Sequence, residues 1–310
     1  MPIDIVHHPD YDARFPTHHR FPMGKYSFLM EALRRRGLVD PSRLHVPEPV
    51  GADLLSLAHD PNYVEQVLTQ TVPADIEREI GFPVDQRVAR RAHLAASGTL
   101  LAARLALAKG LACNTAGGSH HARRTRGAGF CTFNDVGVAA HTLLAEGAVR
   151  RVLVVDLDVH QGDGTADVFA AEPRVFTFSM HGEKNYPVRK IPSDLDVGLP
   201  EGVGDAAYMA KLEPLLPLLS LYARPDIVFY NAGVDPHVSD RLGKLALTDD
   251  GLRRRDEAVI RHFRQAGVPV CGVIGGGYSN DVPALAERHA ILFEVAAALA
   301  EAGAPETLSA

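Results

Sequence analysis

Val152-Leu153-Val154-Val155-Asp156-Leu157-Asp158-Val159-His160-Gln161-Gly162-Asp163-Gly164 begins as apolar chain and ends as a knot of charge. Four consecutive aliphatics with no polar alternation fit a strand covered on both faces. The polar run then falls where open parallel sheets collect their ligands, at the carboxyl end of a strand. Residues 3–6, 175–178, 227–230 and 268–274 repeat the apolar pattern, and 112–116 is a weaker copy. Between these runs, helical periodicity covers 88–109, 136–146, 206–222, 249–266 and 282–301, the third strained by Pro214 and Pro217. Strand and helix alternating in this way predict an α/β fold, with a mostly parallel central sheet and helices on both faces. No repeat or linker interrupts the pattern, so residues 1–310 read as a single domain, with a frayed tail after Ala302.

Bulk properties narrow the function. Hydrophobic residues make up 46% and charged residues 23% of the chain, an ordinary globular balance. A formal charge of −6 argues against nonspecific nucleic-acid binding and tolerates a cationic partner, such as a Lys-rich peptide or a polyamine. No apolar run approaches the ~20 residues of a membrane span. The first residues lack the basic and apolar regions of a signal peptide. Cys113, Cys131 and Cys271 are too few and too scattered for a disulfide framework, so a cytoplasmic location is expected.

Polar, glycine-rich segments follow four of the apolar runs: GGSHHA, DLDVHQGDG, NAGVD and GGGY. Residues two apart on a strand share a face, so Asp156, Asp158 and His160 start on one side. Zinc in hydrolases usually takes three protein ligands and keeps one position open. Asp158 and His160 supply two, and Asp235 is the best third. The competing reading is that Asp156 and Asp158 cap a helix starting near Asp163. His120-His121 can act as a general base and an electrostatic partner, each fixed by a carboxylate, with Asp156 and Asp163 the candidates. His7-His8 and His18-His19 are also pairs, so the Gly117-Gly118-Ser119 context is what sets His120-His121 apart. Gly275-Gly276-Gly277 can bring Tyr278 close to a ligand, where its phenol would stabilise an oxyanion. Alone, the same segment reads as a glycine turn with a packed tyrosine.

In this order, GGSHHA, GFCTFND, DLDVHQGDGT, NAGVD and GGGY resemble the histone deacetylase superfamily, which includes acetylpolyamine amidohydrolases and acetoin-utilisation proteins. Gln161, the 180–202 stretch and NAGVDPHVSDRLG look most like class IV and its bacterial relatives. The resemblance implies a zinc-dependent amidohydrolase that removes an acetyl or longer acyl group from a lysine side chain. It implies Asp158, His160 and Asp235 as ligands of one zinc, with iron as the alternative metal in the cell. His121 with Asp163 matches the general base and acid, His120 with Asp156 the electrostatic partner, and Tyr278 the carbonyl-polarising residue. Gly129, Phe130, Gly276 and Gly277 match the substrate tunnel, with residues 184–187 as the opposite wall. Asp156, Asp158, His160, Ser179 and Met180 match a structural potassium site. The implied partner is an acyl-lysine protein or peptide, or else a small acylated amine such as an acetylpolyamine.

Two departures refine this. Two-manganese ureohydrolases, wider relatives, need aspartates where this chain has Gly162 and Gly233, which argues for one metal. The class IV likeness suggests acyl chains longer than acetyl, each buried CH₂ contributing ~0.8 kcal/mol. The arginine clusters at 34–36, 123–126 and 253–255 read as solvated faces.

Overall fold

Each strand of the sheet's centre is buried along its whole length, which is why its sequence shows no polar alternation. The computed structural model describes residues 3–16 and 19–302; His18 and the expected tail after Ala302 lie outside them. The strands are β1 (Asp4–Val6), β2 (Leu44–His45), β3 (Leu111–Asn114), β4 (Val152–Asp156), β5 (Val175–Gly182), β6 (Leu195–Leu199), β7 (Ile227–Asn231) and β8 (Val270–Val273). They form one sheet in the order β2-β1-β3-β8-β7-β4-β5-β6, and every pairing is parallel. The helices are α1 (Lys25–Arg35), α2 (Ala52–Ala58), α3 (Pro61–Leu68), α4 (Ala74–Ile80), α5 (Gln86–Lys109), α6 (Asp135–Ala145), α7 (Asp163–Phe169), α8 (Asp205–Leu212), α9 (Leu215–Ala223), α10 (Asp249–Gln265) and α11 (Val282–Ala302). The result is the single α/β domain expected, with helices flanking the sheet.

Local chemistry explains the boundaries. The Asp85 side chain caps α5 by accepting from the amides of Arg87 and Val88, and Gly110 ends it in a left-handed conformation. Thr248 caps α10 and Asn134 caps α6 in the same way. The helix expected over 206–222 is two helices. Pro214 ends the first, and Pro217 sits in the first turn of α9, where a missing N–H costs nothing. Two strands escaped the apolar pattern. Of these, β2 has only two residues, and the edge strand β6 alternates buried and exposed positions around Asp196 and Gly198.

Chain order sets the position of the site. From β4 the chain steps outward to β5 and β6, then returns to β7 on the other side of β4. The β4–β7 boundary is therefore a topological switch, and the loops after these two strands diverge to leave a crevice. Among the described residues, no helix is long and apolar enough to cross a membrane.

Candidate active site

Four loops meet above this crevice, from the ends of β3, β4, β7 and β8. The loop after β4 carries Asp158 and His160, and the loop after β7 carries Asp235. The His160 Nδ1 atom lies 3.0 Å from Asp158 Oδ1 and 3.2 Å from Asp235 Oδ2. One ligand atom from each residue falls within 4.8 Å of the others, the one such cluster able to hold a metal among the described residues. Backbone amides fix the outer oxygens: Gly276 donates to Asp158 Oδ2 at 2.7 Å and Val159 to Asp235 Oδ1 at 2.8 Å. Gly276 must lack a side chain, since a Cβ there would stand 2.2 Å from Asp235 Oδ2 and 2.6 Å from Asp158 Oδ2. Burial and the neighbouring Asp158 charge push Asp235 up to about 7. Two buried carboxylates aimed past one imidazole nitrogen are a donor set that fits a divalent cation. Asp156 and Asp158 do not cap the helix that follows: α7 starts at Asp163, and its N-cap is Gly162, with no side-chain cap.

The histidine pair occupies the loop after β3. Asp135, at the start of α6, accepts from the amides of Gly118 at 3.1 Å and Ser119 at 2.7 Å, and Thr165 N–H donates to the His120 carbonyl at 3.0 Å. The rings then lie 4.1 Å apart. His120 Nδ1 is 2.7 Å from Asp156 Oδ2, and His121 Nδ1 is 2.6 Å from Asp163 Oδ1, the pairings expected. Each bond leaves Nε2 as the outward nitrogen. Burial opposes charge on both rings. For His120 the carboxylates of Asp156 and Asp158 outweigh burial and raise it to about 9. For His121 burial and the neighbouring His120 prevail over Asp163, and it falls to about 4. Two partners escaped sequence reading: Asn231 donates to Asp156 at 2.9 Å, and Arg123 grips Asp163 at 2.8 Å. Arg123 thus pairs into the site and is only partly open to solvent.

Tyr278 stands at the end of the glycine segment, its ring 6.1 Å from that of His160. Its backbone N–H donates to Asp240 at 2.7 Å, which orients the turn. Burial, with Asp235 and Asp158 nearby, raises its phenol well above the ordinary value, so it stays protonated. A cavity of about 340 Å³ leads from solvent to His121, His160 and Tyr278, lined by Gly129, Phe130, Asn185 and Tyr186. Tyr186 supplies the second wall, its ring perpendicular to His121 at 4.7 Å. Gly129 has φ +53°, and a Cβ on it would stand 2.5 Å from His121 Cδ2. Gly277 is not part of the wall: a side chain there would meet Val234, His289 and Leu285 in the core. A second cavity of only about 20 Å³ adjoins the site, enclosed by Phe21, Tyr26, Arg91 and Cys131 together with His120 and Tyr278. Ser179 and Met180 are buried on β5, with Ser179 paired in register to Asp156 and its hydroxyl 2.9 Å from His181.

Arg255, expected on a solvated face, is fully buried. It donates to the Gly233 carbonyl at 2.6 Å and the Leu157 carbonyl at 3.3 Å, so it braces the two loops that carry the Asp-His-Asp cluster. Arg34–Arg36 is a surface cluster as expected, with Arg35 and Arg36 paired to Glu287.

The histone deacetylase domain model matches residues 19–293. An uncharacterised protein of Picosynechococcus is 47% identical over 96% of this chain and 99% of its own length. Histone deacetylase 2 of Arabidopsis thaliana is 30% identical over 89% of this chain and 74% of its own. A probable deacetylase of Archaeoglobus fulgidus is 30% identical over 90% and 82%. The solved HD domain of HDA15 superposes with a TM-score of 0.77 over 94% of this chain and 88% of its own, at 24% identity, which speaks to fold alone. Deacetylases of this family are generally metal-dependent, and the buried Asp-His-Asp cluster is suited to hold the ion. The domain match, the full-length relatives and the sheet topology together place this chain in the histone deacetylase family of hydrolases.

Proposed function

We propose that this protein is a zinc-dependent lysine deacetylase with one metal per chain, held by Asp158, His160 and Asp235. The observation that carries the reading is the convergence of that buried triad, two His–Asp pairs and Tyr278 at the floor of one narrow cavity. A bound zinc ion would supply Lewis acidity toward the amide carbonyl and toward water. His121, neutral at physiological pH, accepts a proton from the attacking water at Nε2 and later returns it to the departing amine. Asp163 fixes its tautomer. His120, charged and held by Asp156, adds positive potential beside the developing oxyanion. Tyr278 donates its phenolic proton in a hydrogen bond to that oxygen. Phe130 and Tyr186 flank the lysine stem, and the absent side chain of Gly129 leaves it room.

The acyl group in this reading is acetyl. Class IV likeness favours longer chains, but the cavity of about 20 Å³ that adjoins the site admits only a group the size of one or two waters. Arg91, largely buried, would meet the end of any longer chain with a guanidinium. A structural potassium near Asp156, Ser179 and Met180 rests on resemblance and on the β4–β5 register that sets Asp156 beside Ser179. Three buried, unpaired thiols suit a reducing cytoplasm.

The test is kcat/KM on one lysine peptide carrying acetyl, butyryl or octanoyl, with and without a chelator. Acetyl should be turned over fastest, and the chelator should abolish every rate. Chelator-resistant hydrolysis would refute the metal, and a preference for octanoyl would refute the short pocket.

A further inference from the structure

The chain is acidic overall, but the mouth of its cavity is not. Of the residues lining the 340 Å³ cavity, Arg20, Arg78, Lys184 and Lys244 are cationic and Glu79 alone is acidic. All five are exposed. The Glu79 carboxylate is already engaged by Arg126, so it does not offset the others. Lys244 reaches Glu201 at 2.9 Å, but both side chains are 51% exposed, and such a surface pair is held weakly. Among the described residues, no carboxylate pairs with Arg20, Arg78 or Lys184. The four cations come from separate segments: the chain before α1, the end of α4, the loop after β5 and the loop after β7. They reach the opening from four separate parts of the fold, and a single small anion would not satisfy them all. An extended chain with several carboxylates on both sides of the inserted lysine can.

We propose that the natural substrate is an acyl-lysine set in an acidic stretch of polypeptide, selected over basic sequences and polyamines by Arg20, Arg78, Lys184 and Lys244. The inference deepens the deacetylase reading and rests on it for the inserted group. It also reverses what net charge suggested, because a bound chain feels the nearest side chains and not the distant remainder. At physiological salt, exposed charges more than ~8 Å apart are largely screened from one another. Like charges brought together at the mouth penalise a polycation, and opposite charges steer an acidic chain inward.

The experiment uses the metal-loaded protein and acetyl-lysine peptides of one length, flanked by two Glu, Ser or Arg on each side, with acetylspermidine as a polyamine probe. Turnover is read as kcat/KM, and binding of labelled peptides as fluorescence anisotropy. The Glu peptide should exceed the Arg peptide by ~10-fold at low salt, chiefly through KM, with the ratio shrinking toward one as salt approaches ~1 M. The double variant R78E/K184E, changed only at exposed positions, should lower or invert the Glu-to-Arg ratio. An Arg-flanked peptide or acetylspermidine preferred by the wild type would overturn the proposal, as would a ratio indifferent to salt and to the double variant. Glu-selective binding without turnover of any peptide would leave the mouth assignment standing and refute the deacetylase reading instead.

Discussion

Gly129 lies against His121, and giving it one methyl group tests whether the placement of that ring governs the rate. In Gly129→Ala the new Cβ would stand 2.5 Å from His121 Cδ2, 2.9 Å from its Cγ and 3.1 Å from Tyr186 Cε1. Ordinary carbon contacts start near ~3.5 Å, so the imidazole or the loop must shift by roughly 1 Å. A displacement of that size at a reacting group costs ~10²-fold in rate. The backbone adds a separate penalty, because φ is +53° and a side chain there costs ~1–2 kcal/mol. For a domain of this size that lowers Tm by only a few degrees, ~2–8 °C. The expected variant is folded, binds metal at the wild-type level, and loses ~10² in kcat/KM. The assay is steady-state deacetylation of an acetyl-lysine peptide, beside metal content and thermal unfolding of the same preparation. Wild-type turnover in a variant whose structure shows the His121 ring displaced would refute its role as proton acceptor.

Three further outcomes follow from the geometry. Tyr278→Phe should keep metal and fold while lowering kcat by ~10²–10³, the scale of one lost oxyanion donor; near-normal turnover would make the ring mere packing. Arg255→Met should destabilise by ~3–5 kcal/mol in urea unfolding, because Asp256 loses its buried partner. A second change, Asp256→Leu, should restore part of that, and an unaffected single variant would show that the brace is dispensable. Asp4 is buried, but Lys109 and His45, each 2.7 Å away, outweigh burial and hold its carboxyl below the ordinary value. The folded state therefore gains stability above the unfolded carboxyl pKa, and loses it as pH falls through the lower folded one. Asp4→Asn should weaken the protein at pH 7 and flatten its urea midpoint between about pH 5 and 3; an unchanged acid slope would contradict this.

The parts of the fold visible in the sequence were those buried on both faces. Residues 152–155 and 227–230 had to be apolar throughout, so they announced β4 and β7. The edge strand β6 needs only one covered face, and its Asp196 and Gly198 hid it. Sequence order likewise marked the candidate residues, since they fall at or beyond strand ends, Asp156 closing β4 and Asp158 and His160 just after it. What could not be read was proximity between distant loops. Arg255 looked like one member of a charged helix, and only packing shows it reaching the Leu157 and Gly233 carbonyls. Gly276 and Gly277 are indistinguishable as text, but one abuts the carboxylates of Asp158 and Asp235 and the other the core. Net charge sums over the whole surface, whereas Arg20, Arg78, Lys184 and Lys244 are gathered at one opening.

In the proposed function one metal, held by Asp158, His160 and Asp235, serves hydrolysis of an acetyl-lysine amide. This role is tested most directly by stripping the purified protein with a chelator and titrating zinc back while measuring acetate released from an acetyl-lysine peptide. Activity should return linearly and break sharply at one equivalent per chain, and Asp235→Ala should neither retain zinc nor recover. A break at two equivalents, or full activity in the stripped protein, would contradict the proposal.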